Sequence, residues 1–354
     1  MRLSRTIIAG LAVAAATVAM VTPTSAAQAQ QDQHTKALPT HVFAPFFETF
    51  NGDNPATLAQ QSGDRFQTMA FLQTAVAGSC TAEWNGNLAT PVARSTFGAD
   101  IAAIRRTGGD VIPSFGGFAA DDTGTELADS CTSVPAIAAA YEHVVTTYNV
   151  TRLDLDTEDK SLTNPAGVDR RNKAIRLVEI WAAAHHRTVQ FTYTLPTTEN
   201  GLAPTGLAVL RNAVANHARV DIVNIMTFDY FDGLTHEMAT DTQTAAAGTI
   251  TQLQALFPHR STSSLWAMLG VTEMVGIDDF GPAETFTLAD ATTIQHWAVA
   301  KNISFLSFWA TERDNGSCPG LQGQGLCSGV AQTTWQFSHI FQPFTRNGGG
   351  HGRH

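Results

Sequence analysis

Asp154, Asp156 and Glu158 stand at two-residue intervals at the end of an apolar run, a spacing suited to splitting an acetal. The residues leading up to them include Val144, Val145, Val150, Leu153 and Leu155, a composition that favours a β-strand. Side chains alternate between the two faces of a strand, so the three carboxyls share one face and Leu153, Leu155 and Thr157 take the other. Neighbours in such a row stand about 6–7 Å apart. Acids that close cannot all ionise freely, and one member is expected to hold a proton near neutral pH. The position of the row carries more than its spacing. A solvated acidic run belongs in a polar helix or loop, not at the end of a β-branched strand.

The elements that must hold this row recur at a near-regular interval. Strands are expected at 41–47, 67–72, 110–115, 150–156, 188–194, 221–228, 265–271 and 303–309. Helical patterns fall between them, at 100–107, 134–147, 166–186, 206–217, 242–256 and 288–301. The helix at 166–186 follows Asn164-Pro165, a cap residue with proline in the first turn. Eight strands alternating with helices predict a single-domain (β/α)8 TIM barrel; a doubly wound sheet would want fewer strands and a Gly-rich first turn. Barrel chemistry sits at the C-terminal strand ends. Those ends carry Phe46, Phe47 and Glu48; Gly116 and Gly117; the acid row; Tyr193; Met226 through Tyr230; Glu273 and Met274; and Phe308 and Trp309. Aromatic faces stack on the apolar C–H faces of sugar rings, and acids cleave the bond between them.

Residues 1–29 read as a secretory leader: Arg2 and Arg5, an apolar run from Ile7 to Val21, and small residues with possible cuts after Ala26 or Ala29. The run is short for a membrane anchor, so a secreted, extracellular protein is expected. The segment 30–37 is expected to be flexible, 38–345 to form the barrel, and 346–354 to be a flexible tail. A net charge of −10 without a basic stripe argues against nucleic acid and anionic membrane as partners. A monomer is expected. Four cysteines suggest two disulfides. Cys318 and Cys327 are close together in a Gly-rich loop and are paired, which leaves Cys80 with Cys131. No C-x-x-C supports a metal site, and no cofactor is implied.

Leu153-Asp154-Leu155-Asp156-Thr157-Glu158 resembles the D-x-x-D-x-D-x-E signature of family 18 glycoside hydrolases, the chitinases and their relatives. Ser114-Phe115-Gly116-Gly117 is similar to that family's S-x-G-G end of strand three. Met226-Thr227-Phe228-Asp229 resembles M-x-Y-D on strand six, and Trp309 matches the tryptophan closing strand eight. The resemblance spans 40–341 and is nearest to bacterial single-domain secreted chitinases. It implies an N-acetylglucosamine-containing polysaccharide or glycan as partner and, as the leading expectation, retaining, substrate-assisted hydrolysis of β-1,4-linked N-acetylglucosamine chains, chitin or chito-oligosaccharides. Glu158 would be the general acid, Asp156 would orient the substrate acetamide, and Asp154 would share a proton with Asp156. Asp229 would hold the acetamido group and Trp309 would floor the sugar site. Met226, Phe47, Gly116 and Gly117 would complete the binding surface. An endo-β-N-acetylglucosaminidase acting on N-linked glycans and a chitin-binding lectin are the alternatives.

Two positions depart from the pattern. Thr151 replaces the first aspartate, and Phe228 replaces the tyrosine whose hydroxyl would bond the acetamide oxygen. Tyr230, with Tyr193 second, is expected to supply the missing hydroxyl. The interval 276–302 has room for one loop and one helix, so no α+β domain is expected between strands seven and eight, and the groove should be open and endo-acting. Trp266 and Trp84 are further sugar-stacking candidates, while Trp181, at helical spacing, is expected in the core.

Overall fold

A computed structural model describes residues 37–323 and 325–347. The expected leader and most of both expected flexible ends lie outside the described residues.

Eight parallel strands close into a tube: β1 (split as Val42–Phe43 and Phe46–Glu48), β2 (Phe66–Thr74), β3 (Asp110–Gly116), β4 (Arg152–Asp156), β5 (Gln190–Thr198), β6 (Ile222–Met226), β7 (Leu269–Met274) and β8 (Phe305–Trp309). Closure depends on the split in β1. Its first half pairs with β8 and its second with β2, on either side of Pro45, which has no N–H to give a ladder. Helices between successive strands form the outer layer, and the fold is the expected (β/α) barrel. Asn54, Ser133 and Asn164 cap the helices Pro55–Ser62, Val134–Tyr148 and Pro165–Ala184, each with proline in the first turn.

The tube is filled in layers. At its N-terminal mouth Val42, Ala44, Phe66, Ile112, Ile222 and Phe305 form an apolar plug. Above them the lining turns polar: Thr68 and Ser307 donate to the carbonyl of Ala44, and Asn224 bonds Thr194 at 2.9 Å and Thr272 at 2.7 Å. Burying polar groups is tolerable here because these are paired. The opposite strand faces pack on the helices through Leu153, Leu155, Phe191, Val223 and Phe308, in the main core.

Between β7 and β8 lie a two-stranded hairpin, Gly276–Asp278 with Gly281–Phe286, and the helix Leu288–Lys301. No further domain is inserted there; the hairpin itself was not foreseen. Strand boundaries moved by a few residues, most at the start of β7 and the end of β5. β7 starts at Leu269 because Ser261 caps a short helix, Thr262–Trp266, that takes the first residues expected for the strand. β5 continues to Thr198 instead of stopping at 194. Disulfides join Cys80 to Cys131 and Cys318 to Cys327, as the spacing suggested.

Candidate active site

The acid row lies at the C-terminal end of β4, and its register fixes which way it faces. Asp154 pairs with Ser114 and Thr192, and Asp156 with Gly116 and Thr194. Asp154 is almost fully buried and accepts from Ser114 and Thr194 hydroxyls, each at 2.5 Å, one on each oxygen. Burial raises its pKa to about 6, opposed by those two bonds and by Arg152. Asp156 lies one step higher and is 4% exposed. Burial, then the charges of Glu158, Asp154 and Asp121, raises it well above the ordinary range, and its Oδ1 has no hydrogen-bond partner. Glu158 is half-buried just past the strand; burial raises it to about 7, while the Phe118 main-chain N–H pulls the other way. A retained proton at the mouth and a buried acid beneath it are the parts that acid-assisted cleavage of an acetal needs.

Asp229 joins this group from the loop after β6, in a left-handed turn at φ 53°. Burial and then Asp278, Asp279, Glu284 and Glu158 raise it to about 8. The loop is tied to the hairpin: the Asp229 N–H donates to Asp278, and those of Tyr230 and Phe231 donate to Glu284 at 2.8 and 3.1 Å. Asp278 and Glu284 carry no motif, and the hairpin alone brings them here.

Trp309 faces the lumen, two residues beyond Ser307, and stacks on Phe71 at 5.6 Å with 11° between the rings. Phe46 packs against both. Met226 also takes the lumen side, in phase with Asn224. The two glycines have steric reasons for being there. A Cβ on Gly116 would lie 2.0 Å from the Asp156 carbonyl oxygen, and one on Gly117 would lie 2.6 Å from the Phe71 ring. Both also have positive φ, at 101° and 83°.

Several expected site residues are elsewhere. Phe47 faces the outer core, because the alternation that sends Val42, Ala44 and Phe46 inward sends Phe47 outward. Tyr193 is opposite Leu155, on the helix side, with its hydroxyl 3.2 Å from Asn172. Trp266 lies in the helix before β7, edge-on to Trp297 and beneath Lys301, away from the strand ends. Trp84 is buried and donates to Tyr148. The ring of Tyr230 lies 4.9 Å from that of His236, and the charges acting on its hydroxyl are Glu273, Asp241, Glu284 and Glu199, none of them in the acid row. Tyr193 therefore does not replace the hydroxyl missing at Phe228. Sequence reading named Phe46 only as part of a strand end, choosing Phe47 for the groove, and it missed Phe71, Thr194 and Asp121. Strand phase would have found Phe46; Asp121 has no spacing signal.

The raised acids set a pH dependence of stability. Glu48 and Glu158 rise to about 7, Asp229 and Glu273 to about 8, and Glu312 to about 9, each chiefly through burial. Below about pH 3 these groups are protonated in both folded and unfolded chains. As pH climbs, the unfolded chain releases its protons first and is favoured, until the folded groups have titrated as well. Stability is therefore greatest at the acid end and falls through about pH 5–9. Thermal melts at constant ionic strength should give a higher Tm at pH 5 than at pH 8. A Tm that climbs across this interval contradicts the assignment.

The parallel barrel and the carboxyl row at its C-terminal mouth define the architecture of a glycoside hydrolase. No family model matches the sequence. The chain is 32% identical, over 325 residues and 88% of its length, to a probable bifunctional chitinase/lysozyme of Escherichia coli (strain K12), and it spans 35% of that protein. It is 31% identical over 291 residues, 79% of the chain, to Endochitinase 11 of Metarhizium anisopliae, of which it spans 53%. It thus covers about a third to a half of the length of these relatives. The catalytic domain of a hyperthermophilic chitinase from Pyrococcus furiosus superposes with a TM-score of 0.77 at 29% identity, over 90% of this chain and 99% of that one. A GH18 chitinase from Flavobacterium johnsoniae, 11% identical, shares the fold at a TM-score of 0.54. The chain is chitinase-like: it is similar in sequence to these chitinases and in fold to GH18 catalytic domains.

Proposed function

We propose that this domain hydrolyses β-1,4-linked N-acetylglucosamine chains, chitin or its oligomers, with the substrate's own acetamido group as nucleophile. The observation that carries the reading is the row Asp154, Asp156 and Glu158 on one face of β4, with its outermost member half-exposed at the mouth. Glu158 donates its proton to the glycosidic oxygen as the bond to the anomeric carbon breaks. The acetamide oxygen attacks that carbon from the opposite face, giving an oxazolinium ion. Asp156, whose Oδ1 is unpartnered, accepts the acetamide N–H and offsets the positive charge. Asp154 stays fixed by Ser114 and Thr194 beneath it. Water then attacks the anomeric carbon while the Glu158 carboxylate takes its proton, so the configuration is retained.

The short hairpin between β7 and β8 supports an open groove and internal cuts. The leader pattern and the two disulfides support export. Digestion of N-acetylchitohexaose and of a high-mannose glycoprotein, followed by NMR of the first-formed anomer, tests the proposal. Internal products of β configuration are expected. Release of glycan without cleavage of the hexamer would move the substrate to N-linked glycans, and activity on neither would leave a lectin.

A further inference from the structure

A fourth carboxyl, outside the acid row, touches the proton donor. Asp121 lies in the short helix Phe118–Thr123 that follows β3, and it is 1% exposed. Its Oδ2 accepts the main-chain N–H of Glu158. The bond is returned: the Phe118 N–H donates to the Glu158 side chain. A third link, from the Gly117 N–H to the Asp156 carbonyl at 3.1 Å, sits beside these two. The turn after β3 and the end of β4 are thus fastened in both directions. The missing Cβ atoms make the approach possible, since one on Gly116 would collide with the Asp156 carbonyl and come within 3.5 Å of Asp121 Oδ1.

The backbone at Glu158 needs such a fastening. Asp159 follows at φ 33°, a left-handed conformation that a non-glycine residue keeps only where its surroundings over-determine it. A side chain on that main chain would otherwise be free to swing, and a proton donor displaced by about 1 Å loses on the order of a hundredfold in rate.

We propose that Asp121 is a positioning residue for the hydrolysis, setting where Glu158 presents its carboxyl; this rests on reading Glu158 as the proton donor. The groups facing Asp121 are Glu126 and Arg171, a buried ion pair at 2.9 Å, and Glu158; Asp156 feels the Asp121 charge in turn. Burial first, then Glu126, raises Asp121 to about 9, with Arg171 opposing. At neutral pH it is therefore an uncharged acid bonding through an oxygen. The side-chain oxygen of asparagine can make the same bond; alanine cannot.

The test compares Asp121→Ala with Asp121→Asn in the full chain, using kcat and KM on N-acetylchitohexaose and the hydrogen-exchange rate of the Glu158 amide. In Asp121→Ala, kcat should fall by about tenfold to a hundredfold with KM within about twofold, and the Glu158 amide should exchange at least about tenfold faster. Asp121→Asn should restore kcat to within about threefold and keep the amide protected. Wild-type kcat in Asp121→Ala, or equal damage in both variants, overturns the role. A wild-type chain that cuts no oligomer refutes the proposed function instead. In that event the amide readout still decides for Asp121: unchanged exchange in Asp121→Ala overturns the inference, and loss of protection rescued by asparagine supports it.

Discussion

Replacing Glu158 by glutamine is expected to lower kcat on chito-oligosaccharides by about 10²–10⁴-fold, the usual contribution of a positioned acid–base group, with KM within about twofold. Glutamine keeps the shape of the side chain and an oxygen that can accept the Phe118 N–H, but it cannot donate a proton to a leaving alkoxide. The bound geometry should survive, and the loss should fall on the chemical step. A second measurement separates this from unfolding. Glu158 titrates near pH 7 because burial disfavours its charged form, so at pH 8 the native chain carries a desolvated carboxylate that glutamine removes. The Tm of Glu158→Gln at pH 8 should equal or exceed that of the parent. A variant that keeps more than about a tenth of the parent kcat would remove Glu158 from its role.

Asp156→Asn is expected to cost about 10²–10³-fold in kcat, the scale for removing one group that stabilises charge in a transition state. Asp156 is the middle member of the row, buried, with an oxygen that nothing in the protein bonds. In the proposed reaction the substrate N–H would pair with this atom, whose burial without a partner is costly. The substitution also has a direction in pH. The charge of Glu158 raises Asp156, so Asp156 keeps its proton while Glu158 titrates, and an uncharged asparagine leaves the Glu158 titration in place. The alkaline limb of the pH–rate profile should stay where it is in Asp156→Asn. Unchanged kcat, or an alkaline limb moved to lower pH, would contradict the placement of charge in this row. Phe228 bears on the same proposed step: the Tyr193 hydroxyl bonds Asn172 and the Tyr230 ring lies against His236. In that reading, stabilisation of the acetamide falls more heavily on Asp156 and Asp229.

Much of this site is visible in the chain because its central part is local. Asp154, Asp156 and Glu158 belong to one strand and its immediate exit, and a period of two places them together whatever the rest of the molecule does. The eight strands are legible for a similar reason. Each must bury one face on helices and the other in the tube, which enriches it in branched and aromatic residues at regular distances. Where the reading failed, the failures share a cause. Trp266 was assigned to a strand that a serine cap turns into a helix, and β5 runs past its expected end. Phe47 and Tyr193 were placed in the groove by their nearness to strand ends, without the phase that decides inside from outside.

Alternation and recurrence thus determined, from sequence alone, the type of fold and the acid row, and nearness along the chain gave the pairing of the four cysteines. Only the folded chain decided which aromatic lines the groove, which loops meet it, and that Asp121 and Asp278 converge on it from separate strand exits. The physical reason is range. Side-chain alternation is a property of a few adjacent residues, whereas the inward face of each strand is fixed by closing β1 onto both β2 and β8. The protonation of each acid is set by burial and by neighbours that the chain brings back from other strand exits.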